Sequence, residues 1–239
     1  MSLQLVEPLP WDSAFLGFQV GRLVSYKMDG AYLTALVSES KAAGIRLIYL
    51  VTDPADIEMA NAAHQIGARL ADRKVTFARP TTRAVVSAAF NHIGSVTAYT
   101  PQLERLAWQS GAFSRFQRDE NFAPHVFSGL YSRWLRASLS GKLARVVLAS
   151  HSLTGAETGL LTLSERAGYA SIGLLAVDGA VRGQGIGQQM VEAARQQALG
   201  WGCTQLQVVT QRDNVPACRF YVRCGFELVR EEHLYHLWL

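Results

Sequence analysis

The sequence predicts an α/β (α+β) fold, because strand-like and helix-like segments alternate along the whole chain. Residues 45–51 form an almost continuous apolar run, which indicates a buried strand, and helical segments flank it on both sides. Residues 171–177 repeat this pattern, and a glycine-rich turn separates them from a helix predicted over 186–199. We therefore expect a central, twisted, mixed sheet flanked by helices.

The other predicted elements complete this alternation. A helix over 31–43 ends at Gly44, and a second over 54–65 follows Asp53, which is placed to cap it, and Pro54, which suits a first turn. Further strands are predicted over 19–25, 70–77, 144–150, 158–164 and 205–210, with one or two strands over 226–238, and further helices over 101–109, 127–139 and 216–223. Residues 110–124 are expected to form a loop.

A turn-rich stretch over 79–83 marks a candidate domain boundary. It predicts an N-terminal α/β domain over 1–79, a linker over 80–95 and a larger domain over 96–239. Thr52 precedes Gly67 by 15 positions, and Thr210 precedes Gly225 by the same 15. Either a common supersecondary preference explains this echo, or the N-terminal domain is a degenerate copy of half of the larger one.

Composition indicates a folded protein and restricts its partners. Apolar residues make up 49% of the chain and charged residues 18%, and no apolar run approaches the ~18 residues of a membrane span. The first residues lack the basic start and apolar core of a signal peptide, so we expect a cytoplasmic protein. A net charge of +4 without a basic run does not favour nucleic acid, but it suits a small polyanion.

The cysteines predict reduced thiols and no metal site. Cys203, Cys218 and Cys224 are odd in number and show neither a CxxC pair nor another ligand spacing. His233 and His236 are three positions apart in a predicted strand, so their side chains point to opposite faces.

The segment Arg182-Gly183-Gln184-Gly185-Ile186-Gly187, between a strand and a helix, has the pattern of an anion-binding turn. A P-loop requires Lys-Ser/Thr after its last glycine, and Gln188 stands there. A dinucleotide fingerprint requires GxGxxG and an acidic residue ~20 positions on, and neither is present. The turn therefore indicates a phosphate-containing ligand of another kind.

A second motif lies downstream, where an Asn opens a short helix and Ala, a Phe-Tyr pair and Gly-Phe follow. These residues are Asn214, Ala217, Phe220, Tyr221, Gly225 and Phe226. Together with Arg-x-x-Gly-x-Gly after the strand over 172–177, this order resembles the GNAT N-acetyltransferase superfamily. The resemblance implies a GNAT fold, acetyl-CoA as co-substrate, and a possible homodimer.

The resemblance also implies roles for individual residues. The backbone of Leu174, Leu175, Ala176 and Val177 would pair with the pantetheine arm. The pyrophosphate would be held by Arg182, Gly183, Gln184, Gly185, Ile186, Gly187 and Gln188, and the bend of the cofactor by Asn214 and Ala217. Tyr221 would be the general acid. The base stays open between Glu165, His125, Glu120 and a water chain.

A narrower resemblance concerns the acceptor. The opening over 7–17, Ser114-Arg115-Phe116, residues 130–134 and Ile172-Gly173-Leu174-Leu175-Ala176 are similar to the dTDP-fucosamine acetyltransferases. These enzymes acetylate the 4-amine of dTDP-4-amino-4,6-dideoxygalactose for the enterobacterial common antigen, a cell-surface polysaccharide. The similarity implies a nucleotide-sugar acceptor and assigns it to Trp11, Phe15, Ser114, Arg115, Phe116 and Tyr131.

Other functions stay open at this point. The acceptor could be the amine of a protein, a polyamine or another small molecule, because the charges over 110–124 are balanced. A protein of another class, a non-catalytic acyl-CoA sensor, could carry the same motifs.

Overall fold

The computed structural model describes residues 6–24, 30–82, 90 and 92–239. In chain order its strands and helices are β1 (Val6–Pro8), α1 (Pro10–Leu16), β2 (Gln19–Leu23), α2 (Gly30–Ala42), β3 (Ile45–Thr52), α3 (Ile57–Gln65), β4 (Arg69–Pro80), β5 (Ile93–Ser95), α4 (Pro101–Ser110), α5 (Arg115–Arg118), α6 (Pro124–Leu139), β6 (Val146–His151), β7 (Glu157–Arg166), β8 (Tyr169–Val177), a 3₁₀ turn (Gly179–Val181), α7 (Ile186–Gly200), β9 (Gln205–Gln211), α8 (Val215–Arg223) and β10 (Glu227–Trp238). Every helix in these described stretches is too short or too polar to cross a bilayer.

The chain forms two units, Met1–Lys74 with Glu231–Leu239, and Val75–Arg230. In the first unit the strand order is β1-β2-β3-β10. β2 and β3 run parallel, whereas β1 and β10 pair antiparallel with their neighbours. Leu36, Ile48 and Leu237 belong to the apolar core of this unit. Strand β3 is buried almost throughout, as its apolar run predicts.

In the second unit the strand order is β4-β9-β8-β7-β6-β5. β8 and β9 are parallel, and β5 to β8 form an antiparallel series. Helix α7 buries residues at helical spacing against the sheet, namely Met190, Val191, Ala194 and Ala198. The predicted α/β fold with a mixed sheet flanked by helices is therefore confirmed.

The start of α3 and the end of β4 differ from the prediction. The helix begins at Ile57, because the carboxylate of Asp56 accepts from the Met59 N–H at 2.9 Å and caps it. Asp53, the predicted cap, instead accepts from the Ala55 N–H in the preceding turn. Strand β4 continues to Pro80, so Arg79 and Pro80, the first two residues of the predicted turn over 79–83, belong to a strand. Position 83 and half of the predicted linker, residues 83–89 and 91, lie outside the described residues.

Residues 110–124 are more ordered than the predicted loop. They contain α5, whose first turn is capped by the Ser114 hydroxyl. Phe116 and Phe122 are buried against each other with ring centroids 5.2 Å apart, which anchors the segment from within. Helix α6 begins at Pro124, earlier than predicted, because proline suits a first helical turn.

The sequence echo corresponds to two similar strand–helix–strand segments, β3-α3-β4 and β9-α8-β10. Asp56 caps α3 by accepting from the N–H three residues on, and Asn214 caps α8 in the same way. Because Asp56 follows Thr52 as Asn214 follows Thr210, the caps occupy equivalent positions.

The two helices also end alike. Gly67 and Gly225 both adopt a positive φ, 84° and 79°, and each follows a buried residue four positions earlier, Ala63 or Tyr221. At this equivalent position α3 has the small side chain of Ala63, whereas α8 has the aromatic ring of Tyr221. The domain boundaries and the origin of the first unit as a degenerate copy stay predictions.

Candidate active site

Strand β8 has an open edge near its end. Its parallel pairing with β9 runs from Tyr169–Gln205 to Ile172–Val208, and the described residues form no later pair between these strands. β8 nevertheless continues to Val177. Its last residues therefore present backbone N–H and C=O groups to the gap, and such groups can pair with an extended ligand.

A β-bulge on β8 lies where this edge opens. The register with β7 slips by one residue, so that Gly173 and Leu174 both lie opposite Thr162. The Leu174 N–H donates to Thr162 Oγ1 at 2.8 Å, and a Cβ on Gly173 would lie 2.9 Å from the same oxygen. Glycine and the threonine hydroxyl together therefore hold the bulge.

Replacing Thr162 with valine is expected to destabilise the protein by about 1–3 kcal/mol, because the buried Leu174 N–H then lacks its acceptor while the shape is kept. Urea unfolding followed by circular dichroism measures this loss. Thr162→Ser is the control, because it keeps the oxygen and should lose less than half as much. Equal losses in both variants would show that the hydroxyl does not hold the bulge.

The glycine turn leads from β8 into α7. Gly183 and Gly185 both have φ +80°, a conformation that favours glycine. Gly187 lies in the first turn of α7, where a Cβ would lie 3.3 Å from the Phe220 ring, so its lack of a side chain lets α7 approach α8. The first N–H groups of a helix have no intrahelical acceptor, which suits this turn to an anion.

The Arg182 side chain connects this turn to its surroundings. Its Nε donates to the Val177 carbonyl at 3.0 Å, and its Nη2 donates to Gln109 Oε1 of α4 at 3.3 Å. Asp178 caps the 3₁₀ turn through the Ala180 N–H and accepts from Gln102 Nε2 at 2.8 Å. These hydrogen bonds lower the pKa of Asp178 below its ordinary value. Helix α4 is thus bonded to both ends of the segment that precedes α7.

A cleft of ≈ 590 Å³ runs along the open edge and the glycine turn. It brings together predicted site residues from β8, α7 and α8: Leu175, Ala176, Val177, Arg182, Gly183, Gly185, Ile186, Gly187, Gln188, Asn214, Ala217 and Tyr221. Leu174 and Gln184 are not part of this lining. The charged side chains that line it in the described part of the chain are Arg182 and Arg223, both cationic, so the cleft suits anions.

Tyr221 lies in α8 and lines the cleft although its side chain is only 6% exposed. Its ring packs against Phe77, Phe220 and Phe226, with centroid distances of 6.0, 5.2 and 5.6 Å. Burial raises the pKa of the Tyr221 hydroxyl well above its ordinary value, and the thiols of Cys224 and Cys218 add to the effect. The phenol is therefore protonated at neutral pH.

Asn214 has a structural task in addition to its position in the cleft. Its Oδ1 accepts from the Ala217 N–H at 3.2 Å and caps α8. Its neighbour Asp213 forms an ion pair with Arg118 of α5 at 2.9 Å. The start of α8 is thus held by α5.

The predicted acceptor residues near α5 lie outside the cleft lining. Ser114 is buried and caps α5, and Phe116 is buried beneath the Arg115 guanidinium, 4.4 Å from the ring centroid. Tyr131 is buried against Gly111, where a Cβ would lie 2.1 Å from its ring. These contacts stabilise the segment around α5 through its own buried side chains.

The residues just before Ser114 line the cleft instead. They are Gln109, Ser110, Ala112 and Phe113, which we call the α4 wall. They match no sequence motif and were therefore not predicted. The sequence feature that could have indicated them is an aromatic residue, Phe113, next to the small Ala112 in a segment that was expected to be a loop.

Trp11 and Phe15 lie in the first unit, on successive turns of α1. Their rings stack with centroids 5.6 Å apart and planes inclined by 14°, and Trp11 is 48% exposed. The exposed face of Trp11 offers an aromatic surface to a ligand. The assignment of Trp11 and Phe15 to the acceptor stays a prediction.

The three candidate bases do not line the cleft. Glu165 pairs with Arg145 and lies on β7 opposite Ala170, at the other end of β8 from the open edge. His125 and Glu120 lie in the first turn of α6 and in the turn before it. None of the three therefore contributes a carboxylate or an imidazole to the lining, and their assignment as bases stays a prediction.

Comparison with known proteins yields a family whose model covers both sequence motifs. The model of the acetyltransferase (GNAT) family matches residues 100–226, more than half of the chain. The chain belongs to the GNAT acetyltransferase family. Its matched region contains the α4 wall, the open edge of β8, the glycine turn and Tyr221. It is thus an acyltransferase by family.

Relatives of this GNAT chain include a dTDP-fucosamine acetyltransferase and a spore coat polysaccharide biosynthesis protein. It is 28% identical over 223 residues to dTDP-fucosamine acetyltransferase of Escherichia coli, covering 92% of each chain. It is 27% identical over 139 residues to the spore coat polysaccharide biosynthesis protein SpsD of Bacillus subtilis, covering 58% of this chain and 47% of that one. A GCN5-related N-acetyltransferase from Sphaerobacter thermophilus has the same fold, with a TM-score of 0.61, 15% identity and coverage of 98% and 76%.

The GNAT family uses acetyl-CoA, and the residues present fit this co-substrate. The open edge of β8 can pair with the amides of an extended arm, as an added strand would. The left-handed conformations of Gly183 and Gly185 and the missing Cβ at Gly187 leave room for a phosphate close to the backbone.

Proposed function

We propose that this GNAT enzyme transfers the acetyl group of acetyl-CoA directly to the amine of a nucleotide-linked amino sugar, with dTDP-4-amino-4,6-dideoxygalactose as the first candidate. The observation that carries the transfer is a single cleft containing the open edge of β8, the glycine turn and the Tyr221 side chain. The acceptor is supported by the similarity to dTDP-fucosamine acetyltransferase, because that similarity covers both units of the chain.

The cofactor would be held from three sides. The backbone of 174–177 pairs with the pantetheine arm, the turn from Arg182 to Gln188 binds the pyrophosphate, and Asn214 with Ala217 positions the bend between them. Within 174–177, the Leu174 N–H already donates to Thr162, so the arm would pair with those later N–H groups that point away from β7. Acetyl-CoA would supply an activated thioester, and a backbone amide of this edge would polarise its carbonyl oxygen.

Tyr221 would supply the proton that the departing thiolate needs. Its hydroxyl is protonated at neutral pH, and because burial raises its pKa further it would pass its proton to the sulfur only as negative charge develops there. The amine must arrive unprotonated or lose a proton to water, because Glu165, His125 and Glu120 do not line the cleft. A water chain, the remaining candidate, is therefore the base that we propose.

The charges at the cleft do not favour a polycationic acceptor. The described lining includes no carboxylate that would attract a polyamine. The α4 wall contributes an aromatic face at Phe113 and amide or hydroxyl groups at Gln109 and Ser110. Such a mixture suits a sugar with one apolar face. Ser114, Arg115, Phe116 and Tyr131 would act by supporting this wall, and Trp11 with Phe15 stays a separate proposed contact.

The test is CoA release, followed with a thiol reagent, from acetyl-CoA and a panel of acceptors. We expect dTDP-4-amino-4,6-dideoxygalactose to raise the rate at least about tenfold over a polyamine or a peptide amine, the difference expected when one charged contact is unmet. The matched control is the same dTDP-sugar with a hydroxyl in place of the amine, which should give only background hydrolysis.

Each other outcome identifies an alternative. A faster reaction with a peptide or a polyamine would replace the amino-sugar assignment while the transferase assignment stands. Binding of acetyl-CoA without release by any amine would support the acyl-CoA sensor and overturn the transferase proposal for this chain. The cytoplasmic location predicted from the sequence stays a prediction.

A further inference from the structure

The two sides of the cleft are joined by residues 109–118, which we call the cover segment and which contain the α4 wall and α5. At the start of this segment Gln109 Oε1 accepts from Arg182 Nη2 at 3.3 Å, on the side of the glycine turn. At its end Arg118 Nη1 donates to Asp213 Oδ2 at 2.9 Å, on the side of α8. Arg182 lines the cleft, and so does the residue that follows Asp213. The cover segment therefore spans from one side of the cleft to the other.

The two attachments of the cover segment differ in kind. Its start continues from α4, whose Leu103, Leu106 and Ala107 are fully buried, so packing fixes this end. Its end is joined to the start of α8 by an ion pair whose partners are 48% and 30% exposed. An exposed ion pair contributes little to folding and separates easily, which suits a contact that opens and closes.

Internal contacts make the cover segment move as one body. The Ser114 hydroxyl accepts from the Phe116 N–H at 3.3 Å, and the Phe116 ring is buried against Phe122. Phe113 lies directly before this capped turn and lines the cleft. A displacement of Arg118 is therefore transmitted to the α4 wall.

The other partner of the ion pair acts on the helix that carries the proposed acid. Asp213 lies directly before Asn214, whose Oδ1 accepts from the Ala217 N–H at 3.2 Å and caps α8. Tyr221 lies further along the same helix. The ion pair between Arg118 and Asp213 therefore restrains the start of α8 and the α4 wall relative to each other.

We infer that Arg118 is a positioning residue for the acetyl transfer. Its ion pair with Asp213 holds the cover segment against the start of α8 while acetyl-CoA is bound, and separation of this pair opens the cleft for binding and release. The inference rests on the proposed use of acetyl-CoA, but not on the identity of the acceptor. Arg118 thus controls how long acetyl-CoA stays bound, although it does not line the cleft.

Surface plasmon resonance of the immobilised full chain with acetyl-CoA tests this inference without any acceptor. We expect Arg118→Gln to raise the dissociation rate about three- to fivefold, in the upper range for loss of one exposed ion pair. The association rate should change less than about twofold. Asp213→Asn should have the same effect. The double variant should add nothing further, because both substitutions break the same contact.

Two further measurements separate positioning from a general loss of structure. Arg118→Lys keeps the charge and should stay within about twofold of the wild-type dissociation rate. High salt should narrow the difference between wild type and Arg118→Gln, because screening weakens the ion pair only where it is present.

Lys74→Gln is the matched control. It removes a partly exposed ion pair, 3.7 Å from Lys74 Nζ to Glu232 Oε2, and neither residue lines the cleft. It should leave both rates for acetyl-CoA unchanged.

A wild-type dissociation rate in Arg118→Gln would overturn the inference and leave the proposed transfer intact. The same holds for additive effects of the two substitutions, for equal changes in Arg118→Lys and Arg118→Gln, for a difference that salt does not narrow, and for an equal change in Lys74→Gln. If acetyl-CoA bound neither to wild type nor to any variant, the cofactor assignment itself would be wrong.

Discussion

Replacing Tyr221 with phenylalanine is expected to lower kcat by about 10²–10³-fold, within the range for loss of a positioned general acid. The dissociation constant of acetyl-CoA should change less than about threefold, because a proton donor to the leaving thiolate acts in the transition state. Steady-state turnover with saturating acetyl-CoA, together with titration of acetyl-CoA, measures the two quantities separately.

The surroundings of Tyr221 make this substitution a test of the hydroxyl alone. The ring packs against Phe77, Phe220 and Phe226, and phenylalanine keeps these contacts. Tyr169→Phe is the matched control, since it removes a hydroxyl from the end of β8 that lies away from the cleft. Near-normal turnover of Tyr221→Phe would remove Tyr221 from the acid role, as would equal losses in both variants.

The glycine turn and α8 could be predicted from the sequence because their signals are local. A glycine that needs φ +80° and an asparagine that caps a helix depend on neighbours within a few residues. The position of Tyr221 near the turn was instead implied by the resemblance of the two motifs, in order, to the GNAT superfamily. The cap of α3 shows the limit of such local signals, since Asp53 and Asp56 both suit it and only Asp56 takes it.

Features that depend on partners distant in sequence could not be predicted. The bulge at Gly173 exists because Thr162 of the neighbouring strand supplies an acceptor, and no pattern within β8 indicates this. The α4 wall was missed for a similar reason. The Tyr131 ring of α6 packs against Gly111, directly after α4. This contact supports the segment in which Phe113 lines the cleft.

Replacing Gly185 with valine is expected to weaken acetyl-CoA binding about a hundredfold, the equivalent of losing one or two charge-assisted hydrogen bonds. Gly185 has φ +80° and directly precedes α7, and a β-branched residue strongly disfavours that conformation. The turn must then rearrange, and the first N–H groups of α7 no longer converge on the pyrophosphate. Fluorescence or calorimetric titration with acetyl-CoA measures the loss.

Backbone strain alone would also lower stability, so the control must reproduce it elsewhere. Gly168, in the turn between β7 and β8, has φ +84°, a Cβ there would meet nothing within 4 Å, and the residue lies outside the cleft. Gly168→Val should therefore lower Tm about as much as Gly185→Val while acetyl-CoA binding stays within about twofold. If both variants lost affinity equally, the effect of Gly185 would be one of stability. If Gly185→Val alone kept wild-type affinity, the pyrophosphate could not be held by this turn, because the strain removes the geometry on which the anion site depends.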